Sequence, residues 1–444
     1  MSDNHWTPGR LFNEVVMPAQ IELIRMEYRG VRVDEKLRKQ RRRELRAKIK
    51  KMVADPVLDG CNPWSWQQVR NKLHGWKVTK AKSTNERTLK KIRARRMDVS
   101  PFITHILKCR KARKLLTQIG APIHPDGRMR TAYKLHVAET GRGRSGPDVF
   151  GLGMNLQNVP IDQRDWIVPD DSLVFWSAGA SQIEAMIMAW MSEDQDYIKA
   201  FLEGRDLHTE HAVKLFTVKK EDVDNPISKD SDWTYRDASK RISRAWGYWI
   251  SPSGLVDRIN EEIPNLLFTT NSAQRHLDAL GYMHSGVNRW RLRIVEQLKR
   301  SRTLTTPYGR SRAFLGPWRA GDPTPNSLHR EAIVHLLQST AGDHFHQALV
   351  QTASRLRSIP EAECLLYTHS EIAGQCRRQD LEEVAQIVRE EISRPLPLEW
   401  QGKPLICPTE FGSGASWRES RKEHWEKISH RKILPIPGEK ISCE

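Results

Sequence analysis

Two short apolar runs far apart in the chain, Val174-Phe175-Trp176-Ser177 and Leu365-Leu366-Tyr367-Thr368, have the composition of β-strands. Each runs into a distinctive end, Gly179 in the first case and His369-Ser370-Glu371 in the second. The patterns elsewhere are largely helical. From Leu11 to Arg29 the residues Met17, Ile21, Ile24 and Tyr28 alternate spacings of four and three, the signature of an amphipathic helix. Gly30 ends that helix and Val31-Arg32-Val33-Asp34 begins the next element. Any fold for this chain must therefore house a few strands within a largely helical protein.

Charge is the second constraint. Lys36 to Lys51 reads as a basic helix carrying Arg41, Arg42, Arg43, Arg46 and Lys48. A second basic stretch holds Lys77, Lys80, Lys82, Arg87, Lys90, Lys91, Arg93, Arg95 and Arg96. Within it Ser83-Thr84-Asn85-Glu86 has the form of a capping box that would start a helix. Lys108, Arg110, Lys111, Arg113 and Lys114 make a third. One such run is ordinarily a solvated face; three in one region favour a surface that grips phosphates.

The formal net charge of the 444 residues is +18, which favours a polyanionic partner, nucleic acid before acidic membrane. No apolar run approaches the roughly 20 residues of a membrane span, and Met1 to Arg10 lacks a signal-peptide core. A soluble, cytoplasmic protein with no membrane partner is expected. The six cysteines are scattered, with no C-x-x-C pair and no His at zinc spacing, so reduced thiols are expected rather than a disulfide framework or zinc site.

The motifs specify more. Thr140-Gly141-Arg142-Gly143-Arg144-Ser145 is followed by Asn155-Leu156-Gln157-Asn158-Val159-Pro160, and Ser177-Ala178-Gly179-Ala180-Ser181-Gln182-Ile183-Glu184 comes next. Arg236, Lys240, Arg244 and Tyr248 recur every four residues along a helical face. Thr306-Pro307-Tyr308-Gly309-Arg310-Ser311-Arg312, then Arg330 through Gln338 to Asp343, and finally His369-Ser370-Glu371 complete the series. In this order they resemble the signature segments of family A (DNA polymerase I-like) DNA polymerases: T-G-R-x-S, N-L-Q-N-I-P, D-Y-S-Q-I-E, R-x-x-x-K-x-x-x-F-x-x-x-Y-G, T-x-x-G-R-R-R, R-x-x-x-N-x-x-x-Q-G-T-A-A-D and H-D-E. The resemblance covers about Leu11 to Trp417.

It implies an α+β right-hand fold of palm, fingers and thumb, the palm an antiparallel sheet and the remainder mostly helical. The implied division is 1–35 as the palm's N-terminal segment, 36–118 thumb, 119–194 palm, 195–345 fingers, 346–418 palm and 419–444 a basic tail. The 3′–5′ exonuclease-like domain that often precedes this domain has no room. By resemblance Arg142, Gln338 and His369 would face the primer strand, and Lys82, Lys90, Lys91, Arg93 and Arg310 would also bind DNA. Arg236, Lys240, Tyr248 and Glu184 would meet the incoming nucleotide.

The departures are as informative. Each acidic motif of the family supplies an Asp that holds two divalent metals, because Mg²⁺ takes hard oxygen ligands. Gly179 and Ser370 stand at those positions, so no catalytic residue or metal site is intact, and Glu371 and Glu184 are the residual candidates. Arg244 replaces the family's aromatic residue and Trp249 a glycine. The implied function is an inactive polymerase-like protein of replication or repair that binds primer–template or single-stranded DNA, beside an active polymerase or other replication proteins. The alternatives are an active polymerase working with Mg²⁺ through displaced carboxylates, including Asp343, and an engineered inactive variant.

Overall fold

The computed structural model describes residues 6–78, 83–227, 233–263, 268–316, 327–368 and 370–420. Helix α1 spans Met17–Arg29 and ends at Gly30, whose φ of 62° is open to glycine at little cost. After β1 (Val31–Val33), the Asp34 carboxylate accepts a hydrogen bond from the Leu37 amide at 2.9 Å and starts α2 (Glu35–Val53). Helices α3 (Glu86–Arg95) and α4 (Ser100–Ile119) follow. With the C-terminal end of α2 and the segment around Leu58 to Val78, they enclose a hydrophobic cluster of their own, built on Leu58, Leu73, Leu89, Phe102 and Ile106.

Two sequence expectations need correction here. Helix α1 exists, but the stripe of Met17, Ile21, Ile24 and Tyr28 is its exposed side, Tyr28 being 85% exposed. Ala19, Leu23 and Met26 are buried instead, and Glu22 beside them pairs with Arg357. Both faces carry apolar residues at helical spacing, so periodicity alone could not choose between them. Helix α3 does begin where Ser83-Thr84-Asn85-Glu86 suggests, yet Asn85 is its cap, accepting from the Thr88 amide at 2.8 Å. Thr88, three residues on, has no carboxylate to reach back, and Glu86 pairs with Lys90 at 2.8 Å.

The strand runs do come together. Strand β2 (Leu173–Ala180) leads into α5 (Ile183–Ser192). Helices α6 (Tyr235–Gly247), α7 (Pro252–Glu262) and α8 (Ser285–Ser301) form much of the next region. A long helix then runs from Ser327 through a π-helical turn at His335–Ser339 into α9 (Thr340–Leu356). It is followed by β3 (Glu363–Thr368), β4 (Glu371–Arg377) and, near the end, β5 (Thr409–Gly414). The sheet order is β5-β2-β4-β3, all antiparallel. Because side chains alternate across a strand, Trp176, Ala178 and Ile372 enter the large core under the helices, whereas Phe175 and Ala373 enter a second cluster with Trp166 and Trp417.

Candidate functional site

Register places the two distinctive strand ends side by side. Gly179 on β2 lies directly opposite Glu371 on β4 and Glu410 on β5. A Cβ at Gly179 would stand 2.6 Å from the Ser370 carbonyl oxygen, closer than side-chain carbons approach backbone. The turn between β3 and β4 therefore occupies the space into which a side chain at 179 would grow. Glu371 points into the second cluster and is only 4% exposed. Its carboxylate accepts from Trp417 Nε1 at 3.1 Å and from Thr368 Oγ1 at 3.4 Å, with Arg164 Nη1 at 3.7 Å. The Arg164 guanidinium in turn lies 3.8 Å from the centre of a Trp417 ring.

Four of the expected residues converge just beyond the end of β2, at the start of α5. Arg142 pairs with Glu184 at the start of α5, and the Tyr248 hydroxyl donates to the second Glu184 oxygen. Gln338 Nε2 reaches the same hydroxyl at 3.2 Å. Burial and the adjacent Glu184 carboxylate hold the Tyr248 phenol well above its ordinary range, so it remains a donor. Gln338 sits in the π-helical turn, a local widening frequent at functional sites. Arg310 makes a paired contact with Asp343, Nη2 to Oδ1 at 2.6 Å and Nε to Oδ2 at 2.9 Å. Its guanidinium packs against Gly141 so closely that a Cβ there would lie 2.5 Å from it, and Gly141 has a φ of 69°.

Along α6, Lys240 and Arg244 are exposed, while Arg236 is tied to Asp206 at 2.9 Å. Just beyond the helix, Trp249 adopts a φ of 55°, rare for a bulky residue. It is supported on two sides, stacked on His329 at 5.5 Å and beside the Arg291 guanidinium at 5.6 Å. Arg291 is 2% exposed, lies 4.5 Å from the Trp246 ring and donates to the Trp246 carbonyl. Burial lowers its pKa to about 9. Arg291 thus adds a side-chain donor at the end of α6, where the Trp246 carbonyl also accepts from the Trp249 amide at 2.8 Å.

The remaining expected residues lie elsewhere. Lys90 pairs with Glu86, Lys91 with Asp257 on α7 at 2.5 Å, and Arg93 Nη2 donates to the Glu261 carbonyl at 2.5 Å. These three are thus away from the Gly179 cluster and already partnered. Lys108, Lys111 and Lys114 on α4 are exposed. Lys82 and His369 lie outside the described residues, as does nearly all of the basic tail. Arg164, Trp417 and Arg291 were not anticipated: nothing local in the sequence marks the first two as partners of Glu371, and Arg291 lies on an ordinary basic helix.

Among the described residues, no group of three or more His, Cys, Asp or Glu side chains could hold a metal ion, and no helix is long and apolar enough to cross a membrane. The donor set does not fit a pair of divalent cations: Gly179 and Ser370 bring no carboxylate, and Glu371, Glu184 and Asp343 are each engaged by a cation.

The chain is similar to DNA polymerase I of Bacillus subtilis (strain 168), 25% identical over 437 residues that cover 93% of this chain and 46% of that protein. It is 26% identical to the thermostable DNA polymerase I of Thermus aquaticus, covering 93% of this chain and 49% of that one. The chain thus spans about half the length of the curated relatives it matches. Among solved structures, the POL domain of Pol1 from M. smegmatis in complex with DNA primer-template and dNTP superposes with a TM-score of 0.77 at 25% identity, over 92% of this chain and 71% of that one. The architecture is therefore the α+β fold of palm, fingers and thumb. The model for DNA polymerase family A matches residues 33–419, and the chain belongs to that family.

Proposed function

We propose that this protein binds primer–template DNA in the polymerase cleft without catalysing nucleotide transfer, acting as a DNA-binding or accessory subunit in replication or repair. In this reading 36–118 is the thumb, 195–345 the fingers, and 1–35, 119–194 and 346–418 the palm. Gly179 and Ser370 occupy the positions of the two metal-binding aspartates. The observation that carries the reading is the 2.6 Å approach of the Ser370 carbonyl to the Cβ position of Gly179. A missing carboxylate could be replaced from a neighbour, but a filled space cannot receive one without moving the β3–β4 turn.

The carboxylates that the sequence offered as replacements are committed elsewhere. Glu371 is held by Trp417, Thr368 and Arg164, Glu184 by Arg142 and Tyr248, and Asp343 by Arg310. Asp170 is paired with Arg29 and Arg128, and lies at the opposite end of β2 from Gly179. Losing a metal carboxylate costs on the order of a thousandfold or more in rate. DNA binding is supported by the match to a polymerase domain solved with DNA primer-template, by the charge of +18, and by exposed cations on α2 and α4.

The test is a titration of the purified protein with primer–template, reading affinity and primer extension together in Mg²⁺ and then Mn²⁺. Salt-sensitive binding without extension is expected. Metal-dependent extension abolished by Glu371→Ala would overturn the reading and identify a site rebuilt from other carboxylates.

A further inference from the structure

The helical unit of α2, α3 and α4 has its own hydrophobic cluster, distinct from the large core to which Leu255 and Ile259 of α7 belong. Among the described residues, two attachments join this unit to the rest. At its base, Arg38 donates to the Ala121 carbonyl just beyond α4, and Arg41 binds Asp165 at 2.6 Å. At its far side, α3 meets α7. That second contact has a polar seam: Lys91 Nζ to Asp257 Oδ2 at 2.5 Å, and Arg93 Nη2 to the Glu261 carbonyl at 2.5 Å. The Lys91 and Asp257 side chains stay about one-third exposed, 34% and 30%. A contact of this kind is weak and reversible, unlike a shared apolar core.

We propose that the α3–α7 contact is an ionic latch that closes the DNA cleft between thumb and fingers, so that the protein prefers DNA with a free end. The inference rests on the proposed reading of that cleft as a DNA groove. On this proposal, base attachment, helical unit, latch and the α7 region would together enclose the cleft. A strand with an end threads through it, whereas a covalently closed circle enters only when the latch opens. Asp257 and Glu261 also present negative charge to the basic face of α3 and compete there with phosphate, so opening gives Lys91 a new partner in the DNA backbone.

The test uses the full chain and three variants: Lys91→Asp, Asp257→Lys, and the double exchange Lys91→Asp with Asp257→Lys. The double exchange restores an opposite-charge pair at the wild-type net charge. Without DNA, amide hydrogen exchange over 86–95 and 252–262 should quicken about 2–5-fold in each single variant, the worth of a partly exposed ion pair, and return toward wild type in the double. With DNA, association with a circular single strand should be slower than with the same sequence linearised, and each single variant should narrow that ratio by a similar factor. Unchanged exchange in both single variants, or equal association with circle and line in the wild type, overturns the latch. If no DNA binds at all, the proposed function fails, and the exchange measurement still reports whether the latch exists.

Discussion

The closed space at Gly179 makes a prediction whose sign can be worked out in advance. Gly179 lies inside a strand of eight residues, where glycine ordinarily costs about 0.5–1 kcal/mol relative to alanine. Taken alone, that makes Gly179→Ala stabilising. The structure opposes it: the new Cβ would meet the Ser370 carbonyl oxygen at 2.6 Å, where ordinary contact begins at 3.4 Å. Strands β4 and β5 hold β2 on both sides, so relief requires the β3–β4 turn to shift. Overpacking of this order costs about 1–3 kcal/mol, which leaves Gly179→Ala destabilised by up to about 2.5 kcal/mol. Urea unfolding measures it, with Gly146→Ala as the control, since Gly146 is likewise a strand residue and a Cβ there meets nothing within 4 Å. If Gly179→Ala gains stability as Gly146→Ala does, the space is not closed, and the main support for a non-catalytic protein is gone. With the clash real, Gly179→Asp combined with Ser370→Asp should be at least as destabilised as the alanine variant and still fail to extend a primer.

The exposed and buried sides of α1 should separate cleanly: Ile21→Ser with Ile24→Ser should change stability by less than about 0.5 kcal/mol per residue, whereas Leu23→Ala should cost about 2–5 kcal/mol in the same unfolding assay. Burial holds His211 near pKa about 3 and His335 and His344 near about 4. The unfolded chain binds protons on these rings that the folded chain refuses, so stability is full above about pH 6.5 and falls toward pH 4, by up to about 1.4 kcal/mol per pH unit for each ring. His344→Gln should flatten urea midpoints against pH over that window, and a slope unchanged by the substitution would rule that ring out. Replacing the exposed Lys108, Lys111 and Lys114 by Gln should lower the salt slope of DNA binding by about 2–3, near 0.9 per lost phosphate contact. The partnered Lys90, Lys91 and Arg93 should matter less, and the reverse order would move the phosphate surface to α3.

Local signals survived translation into structure where the physics is local. The helix end at Gly30 and the two strand runs act within a few residues of where they are written. Meeting of the strands and convergence of Arg142, Glu184, Tyr248 and Gln338 are long-range facts, legible only because ordered motifs matched a known family. What stayed hidden was the partner of each charged group. Lys91 reads as a phosphate cation until Asp257, 166 residues away, takes it up. Glu371 reads as a spare metal ligand until Trp417 and Arg164 close over it. The buried side of α1 was missed for a different reason: both of its faces are apolar enough to satisfy a helical period, and only the packing chose between them.

Trp249 bears on how the site came to differ from its family. A bulky residue at a φ of 55° carries backbone strain of about 1–3 kcal/mol and persists only when its surroundings fix it. Those surroundings are present: His329 stacks on one face, and Arg291 lies beside it while bonding the end of α6. Arg291 itself is a buried cation that donates to the Trp246 and Gly247 carbonyls and to Asn288, an arrangement that is costly unless it serves the aromatic pair around it. A single substitution made to silence an enzyme would not bring such supports with it. Closure of the Gly179 space by backbone, rather than by a side chain that could be trimmed, is likewise a property of the whole turn. These features reach several elements of the chain; on the proposed non-catalytic reading they fit accumulated change better than deliberate inactivation, and carboxylates placed at 179 and 370 should enter surroundings not shaped to use them.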